Sequence, residues 1–428
     1  MDKSNKGKEP CQMRCNYLIR ALGIKGFQVA KVEEGEWSGR STLTLVLQRR
    51  SKVFSCEKCG RRVKRAYRYR EREVQHLPFW QHLTFLRLGQ YRVFCPRCGW
   101  TVEKLPFLDR YSRVTTALAA LVSELCKVMT NKDVSTLLGL HRHTIKAIDK
   151  RAMAKAQAER PLDGITVLGI DEISVGKGQN YWHLVSALEG PRGCELIYVG
   201  EGRKEEDLRG FWQWFGPERV GLVTHMVMDL WKAFIRSCRH NCPQAAIIFD
   251  KFHIIRHLLE ALNTVRKREL RRAGKKFRGL LAGKKFILLS RQAHLRGKAR
   301  EALRLLLAAN RRLFKAHLLK ESFNHLWTYR SKTWARKFFR QWVESLKWSR
   351  LASYQRFAAM VDKHLDGILA YCDKRVSLGF LEATNLKARN IIRRAYGYRD
   401  KAYMKLKIIQ ACSPLGKFRP WASCNIMP

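Results

Sequence analysis

Two short apolar runs, each ending on a carboxylate, constrain this chain more than any other feature. Gly164 to Asp171 reads Gly-Ile-Thr-Val-Leu-Gly-Ile-Asp, and Gly221 to Asp229 reads Gly-Leu-Val-Thr-His-Met-Val-Met-Asp. A continuous, partly β-branched apolar run of this length is a buried strand, and its terminal acid emerges at the edge of a sheet. Two such strands can set Asp171 and Asp229 side by side. Like charges at close range resist joint ionisation unless a cation lies between them, so the pair is expected to ligate a divalent metal.

The remainder of the chain suggests what is brought to that metal. Its 428 residues suffice for roughly two to four domains, and 84 Lys and Arg against 36 Asp and Glu give a formal charge of +48. Such an excess, spread along a chain with an ordinary apolar content, points to a polyanion, and nucleic acid is the partner whose affinity depends most on Lys and Arg. A ribosomal or membrane-surface protein is the plainer alternative, but no basic amphipathic anchor stands out. Met1 to Cys15 lacks the apolar core of a secretory signal, and no run reaches the roughly 18 apolar residues that span a bilayer. A cytoplasmic location, no membrane partner and few disulfides are therefore expected, which leaves the 13 cysteines as metal ligands or core residues.

Four of those cysteines form a pattern. Cys56-Glu-Lys-Cys59-Gly60 and Cys95-Pro-Arg-Cys98-Gly99 are knuckles in which a tight turn aims two thiolates at one tetrahedral ion, and together they close a structural zinc site. One such motif alone reads as a redox pair; two, each followed by glycine, read as zinc. Strand-like segments at 65–75 and 83–94 would fill the intervening length as a ribbon. A further strand at 41–48, with Leu43, Leu45 and Leu47 alternating, suggests no chemistry, and Cys11 and Cys15 are too loosely spaced to be assigned. From Thr115 to Ala154 the period becomes helical. Leu118, Leu121, Val122 and Leu125 make one stripe and Val134, Leu137 and Leu138 a second, before Gly139 breaks the pattern. Helix, glycine turn, helix is a helix-turn-helix or an ordinary helical hairpin; in the former, Arg142, His143, Thr144 and Lys146 face DNA while Leu140, Ile145 and Ile148 pack inward.

After Pro161 the pattern becomes α/β. The Asp171 strand is followed by strands at 180–187 and 194–199, a helix near 205–214, the Asp229 strand, a helix near 231–239, a strand at 245–249 ending on Asp250, and a helix opening at Phe252. Three consecutive strands followed by alternating helices and strands is the order of a ribonuclease-H-like sheet, in which the first and fourth strands are neighbours. Glu172 should point to the opposite face from Asp171. Asp250 and His253 read as accessory, since a strand-end Asp and a helix-start His are structural more often than catalytic. Residues 263 to 354 show only basic helical runs, expected to lie along DNA with Trp327, Trp334, Trp342 and Trp348 holding the helices together. Within 377–399, Glu382, Asn385 and Arg389 share one helix face: a lone acid above amide and basic groups suits a metal ligand beside phosphate-binding groups.

Taken together, the paired knuckles, the helix-turn-helix, Gly169-Ile-Asp171-Glu172, Val227-Met-Asp229-Leu230, Phe249-Asp-Lys-Phe-His253 and Glu382-Ala-Thr-Asn385 leading to Arg394-Ala-Tyr-Gly-Tyr-Arg399 resemble the bacterial insertion-sequence transposases of the ISL type, over nearly the whole chain. Many members have Asn-Gly where this chain has Leu378-Gly379, and Gly in place of Ala383. The resemblance implies a DNA transposase with Asp171, Asp229 and Glu382 as an Asp-Asp-Glu triad holding two Mg2+ (or Mn2+) ions, with Asp250, His253, Asn385 and Arg389 accessory, Arg393 and Arg394 on DNA, and one Zn2+ in the ribbon. Its partners would be double-stranded DNA, both terminal inverted repeats and target, and a second copy of the chain in a dimer or higher oligomer, in a nucleoid-associated cytoplasmic setting. The expected organisation is a zinc-ribbon region over 1–110, helix-turn-helix over 111–160, a ribonuclease-H-like α/β core over 161–262 and 366–412 interrupted by a helical insertion at 263–365, and a tail from 413. A structure-specific nuclease of the same fold, or a DNA-binding regulator without catalysis, are the alternatives.

Overall fold

The alternating leucines form a strand, and a partner that alternation did not announce lies beside it. In the computed structural model, which describes residues 24–419 apart from Ser377 and Tyr396, β1 (Phe27–Trp37) and β2 (Arg40–Arg49) are an antiparallel hairpin. Ser38 and Gly39 at its turn both have positive φ, the geometry that matches the twist of paired strands. The second half of β1 is charged and exposed, as befits an edge strand, so its sequence carries no core signal. Cys11 and Cys15 lie outside the described residues, as does the tail beyond Arg419.

The chain divides into two compact units, Met1–Arg160 with Leu415–Pro428, and Pro161–Pro414. In the first, β3 (Phe54–Ser55) and β4 (Arg62–Val63) pair with each other, while β5 (Ala66–Gln75), β6 (Leu83–Cys95) and β7 (Gly99–Val102) join the larger sheet in the order β1-β2-β6-β5, with β7 on β6. Three helices follow: α1 (Thr116–Val128), α2 (Asn131–Leu138) and α3 (Arg142–Ala158). Leu118, Val122, Val134, Leu138 and Ile145 form their common core, with Leu140 and Ile148 packed against it. Leu137, expected inside, is 51% exposed, because it falls on the outer side of a helix of only two turns. Thr130 and Asp133 form a capping box at the start of α2. Gly139 ends that helix at φ 67°, and a Cβ there would meet Leu83 at 2.9 Å and Trp37 at 3.0 Å. That glycine is thus required by both its backbone angle and the sheet beneath it.

The second unit is built on a five-stranded sheet. Its strands β8 (Val167–Ser174), β9 (Tyr181–Glu189), β10 (Glu195–Glu201), β11 (His225–Met228) and β12 (Ala246–Phe249) lie in the order β10-β9-β8-β11-β12. The first three are antiparallel, and β8, β11 and β12 are parallel, so the first and fourth strands are neighbours. Two strands differ in extent from expectation. β8 continues past Asp171 to Ser174 in its hairpin with β9, although its ladder with β11 stops at Ile170. The second apolar run is a strand only from His225; Gly221 and Leu222 end a short helix started by Pro217.

Helices α4 (Arg209–Phe215), α5 (Pro217–Leu222), α6 (Lys232–Asn241) and α7 (Lys251–Arg272) follow the sheet's course. α7 runs unbroken through the expected core–insertion boundary at residue 263. Beyond it come α8 (Lys275–Leu281), α9 (Lys285–Leu289), α10 (Gly297–Ala308), α11 (Arg311–Phe323), α12 (Lys332–Glu344), α13 (Ala352–Lys363), α14 (Leu365–Asp373), α15 (Gly379–Arg394) and α16 (Lys401–Ala411). Leu168, Ile170, Met226, Met228 and Phe249 share one core with α4, α6, α7 and the helices up to α14. Val167, Val227 and Ile248 meet Leu381 of α15 in another. Trp327 and Trp342 are buried among the helices as expected, but Trp334 and Trp348 are 59% and 87% exposed and hold nothing together.

Candidate active site

The knuckles are hairpin turns. Cys56 and Cys59 lie between β3 and β4, Cys95 ends β6 and Cys98 precedes β7, and Gly60 and Gly99 take φ near 70°. Their four sulfur atoms lie within 4.8 Å of one another, and Cys59 Sγ is 3.6 Å from Cys95 Sγ. A tetrahedral zinc with bonds of about 2.3 Å sets such an edge at about 3.8 Å. Burial opposes ionisation of Cys95, but the backbone N–H groups of Arg97 and Cys98, with the neighbouring thiols, outweigh it and bring the thiol down to about 7. The donors and their spacing therefore fit zinc.

On α3, Arg142 and His143 are exposed, while Thr144 and Lys146 are half-buried. The side chain of His141 accepts from the His143 N–H and caps the helix, and the two imidazoles stack at 5.1 Å. The first turn of α3 thus presents Arg142 and His143 outward.

The parallel register assembles the acids. Ile170 pairs with Met228 and Met228 with Phe249, so Asp171, Asp229 and Asp250 are the next residues on three adjacent strands. The carboxyl end of parallel strands, at the point where the sheet changes direction, is where open α/β sheets place ligands. Asp250 caps α7, accepting from the Phe252 N–H at 2.8 Å through Oδ1, while its Oδ2 is 3.1 Å from Nδ1 of His253. The other imidazole nitrogen lies 3.5 Å from Asp229 Oδ2. Burial works against a charge on His253, but Asp250, Asp229 and Asp171 outweigh it and hold the imidazole above its usual pKa.

Asp171 receives Asn385. The amide Nδ2 of Asn385 donates to Asp171 Oδ2 at 2.6 Å, across 214 residues of sequence. Burial pushes the Asp171 carboxyl up to about 6, against the pull of the Glu172 N–H, His253 and Asn385. Gly169 makes the approach of α15 possible: a Cβ there would lie 2.9 Å from Leu381 and 3.0 Å from Leu188. Glu382 stands one turn before Asn385 on α15, exposed and without a hydrogen bond or ion pair among the described residues. Arg389, Arg393 and Arg394 continue the helix and are exposed. Among the described residues only the cysteine quartet brings three or more ligand atoms within 4.8 Å of one another; the acid row is more open.

Glu172 points away from Asp171, its Oε1 3.3 Å from Arg203. The Arg203 guanidinium lies 3.9 Å over Tyr181 and 4.5 Å over Trp231, and the Trp231 indole donates to the Arg203 carbonyl at 2.8 Å. Sequence reading missed this group. Its only signal was an aromatic residue two places after Asp229.

These features coincide with known proteins. A family model of ISL3 DDE transposases, described as "Transposase", matches residues 168–408, more than half of the chain. The chain belongs to the ISL3 transposase family. Models described as the helix-turn-helix domain of transposase family ISL3 and as the zinc-finger of transposase IS204/IS1001/IS1096/IS1165 match residues 103–153 and 52–98. The transposase is 30% identical over 397 residues to the transposase for insertion sequence element IS1001 of Bordetella parapertussis, covering 91% of this chain and 97% of that one. It is 25% identical over 395 residues to the transposase for IS1557 of Mycobacterium tuberculosis, covering 86% and 88%. It is thus a DNA-binding transposase with a structural zinc ribbon, a helix-turn-helix and a DDE domain. No described helix is long and apolar enough to cross a membrane.

Proposed function

We propose that Asp171, Asp229 and Glu382 are the catalytic triad with which this transposase cleaves DNA at the element's terminal inverted repeats and joins the freed 3′ hydroxyl ends to target DNA. The observation that carries the assignment is the Asn385–Asp171 hydrogen bond, which fastens the helix bearing Glu382 to the strand bearing Asp171. Asp250 is the nearer rival for third place, but it caps α7 through the Phe252 N–H and meets His253 with its other oxygen. Among the described residues Glu382 makes no side-chain hydrogen bond or ion pair.

Carboxylate oxygens suit Mg2+ or Mn2+, and two such ions held by the triad would supply an activated water and stabilise the charge of an in-line displacement. The chain's own residues do the rest. Asp171 is mainly ionised at neutral pH despite its burial, and Asn385 fixes its free rotation. His253 sits between Asp229 and Asp250 and orients both. Arg389, Arg393 and Arg394 extend a positive edge from Glu382 along which a phosphate chain can lie, while Arg142, His143, Thr144 and Lys146 read the inverted repeats in the major groove. Bringing two element ends together calls for at least a dimer working at the nucleoid.

The test uses Asp171→Asn, Asp229→Asn and Glu382→Gln, with labelled duplexes carrying an element end and a second duplex as target. Each variant is expected to lose cleavage and joining while retaining the gel shift of the wild type. A Glu382→Gln protein that still joins ends would move the third role elsewhere, Asp250 first.

A further inference from the structure

A concave site of about 330 Å³ lies within the helical region, away from the triad. Its wall includes Lys267, Arg268 and Arg271 from the last turns of α7, Arg350 from the turn before α13, and Arg356 from α13. Among the described residues none of these five cations has a carboxylate within ion-pairing distance. Elsewhere in the helical region some cations are paired, Arg304 with Glu301, Arg336 with Asp366 and Lys347 with Glu344. The wall's one acid, Glu269, is buried and already committed. Asn310 donates to it at 2.9 Å and Arg312 lies 3.7 Å away, while Arg312 also donates to the Arg350 carbonyl at 3.0 Å. Glu269 therefore acts as an internal strut that orders Arg312 and the Arg350 turn, leaving five positive charges uncompensated around one hollow. The first turn of α13 adds to this field, since it has no side-chain cap and no acid. A polyanion with regularly spaced charges fits such a surface.

We propose that this hollow is a clamp for the sugar-phosphate backbone of duplex DNA, distinct from both the helix-turn-helix and the acid row; the proposal rests on the reading of the triad only for its distance from the cut. The same helix carries both ends of the measure. His253 and Arg268 are fifteen residues apart on α7, about 22 Å at 1.5 Å per residue. Duplex DNA rises about 3.4 Å per base pair, so the clamp grips backbone about seven base pairs from the scissile phosphate. It holds phosphates without reading bases.

Salt dependence tests this directly. The full-length, zinc-loaded protein is titrated with a random-sequence 40-base-pair duplex, without divalent metal, across a series of salt concentrations. Because all three side chains are exposed, the variant Arg268→Ala/Arg271→Ala/Arg356→Ala should fold normally, and its slope of log K against log salt should be shallower by about three, since each lost phosphate contact removes about 0.9. Arg304→Ala, which removes an ion-paired arginine outside the hollow, should leave the slope unchanged. A triple variant with the wild-type slope overturns the clamp and leaves the triad untouched. A triple variant with the expected slope, in a protein whose triad variants still join DNA, keeps the clamp and discards only the seven-base-pair distance.

Discussion

Replacing Asn385 with leucine would remove one hydrogen bond at the acid row while nearly preserving side-chain volume. The bond is short, 2.6 Å, and ends on a carboxylate already pushed up to about 6 by burial. A hydrogen bond to a charged group contributes about 1.5 to 3 kcal/mol, and because this one is made to the ionised form, its loss raises the proton affinity of Asp171 by roughly one to two pK units. Asp171 would then titrate between about 7 and 8. At subsaturating Mg2+ the ion must displace that proton, so the acid limb of the cleavage rate against pH should move up by one to two units. Activity at pH 7 should fall about two- to tenfold and recover by pH 9. The assay is single-turnover cleavage of an element-end duplex from pH 5.5 to 9.5. An Asn385→Leu protein whose activity is reduced equally at every pH, with its acid limb in place, would refute the reasoning: Asn385 would then be aligning α15 and not tuning Asp171.

Other substitutions and conditions probe the rest of the scaffold. Gly169→Val should place methyl groups against Leu381 and Leu188, cost about 1 to 3 kcal/mol of stability by chemical denaturation, and lower cleavage further still by moving α15; unchanged kinetics would show that α15 tolerates displacement. Cys56→Ser, or a strong chelator, should unfold the ribbon, read as loss of one zinc per chain and weaker binding to element ends, with the second unit's thermal transition in place. His76 is 1% exposed and hydrogen-bonded to Thr115, and burial lowers its pKa to about 4. The unfolded chain takes up that proton near 6.5, so the contribution is whole above pH 6.5 and drains away as pH falls towards 4, by roughly 3 kcal/mol. Thermal unfolding between pH 7 and 4 should show this loss, and His76→Gln should flatten it.

What was legible in the sequence followed from local rules. Strands that end on acids, knuckles followed by glycine, and a glycine between two helical stripes each state their structure within a few residues, and the strand order then follows from the alternation of elements. The site's fine structure depends on contacts that no local rule reaches. Asn385 and Glu382 share a helix face in the sequence, but only the fold shows that the amide binds Asp171 while the acid stays free. Arg203 becomes noticeable only once Tyr181 and Trp231 close over it. β1 was hidden because an exposed edge strand needs no apolar alternation, and Trp334 and Trp348 misled because tryptophan in a helical region is usually core.

The docking of α15 on β8 also bears on how the protein is made. Both aspartates and the strands beneath them have been synthesised once residue 250 has been added, and the cysteine quartet and helix-turn-helix precede them. Glu382 and Asn385 arrive more than 130 residues later, from a helix that can seat only when Gly169 is already in its strand. A chain cut short by a stop codon or a frameshift anywhere in that interval would keep the parts that grip DNA and lack the residue proposed to complete the chemistry. Such a fragment would occupy element ends without cutting them, so a damaged copy of the gene would restrain its intact neighbours.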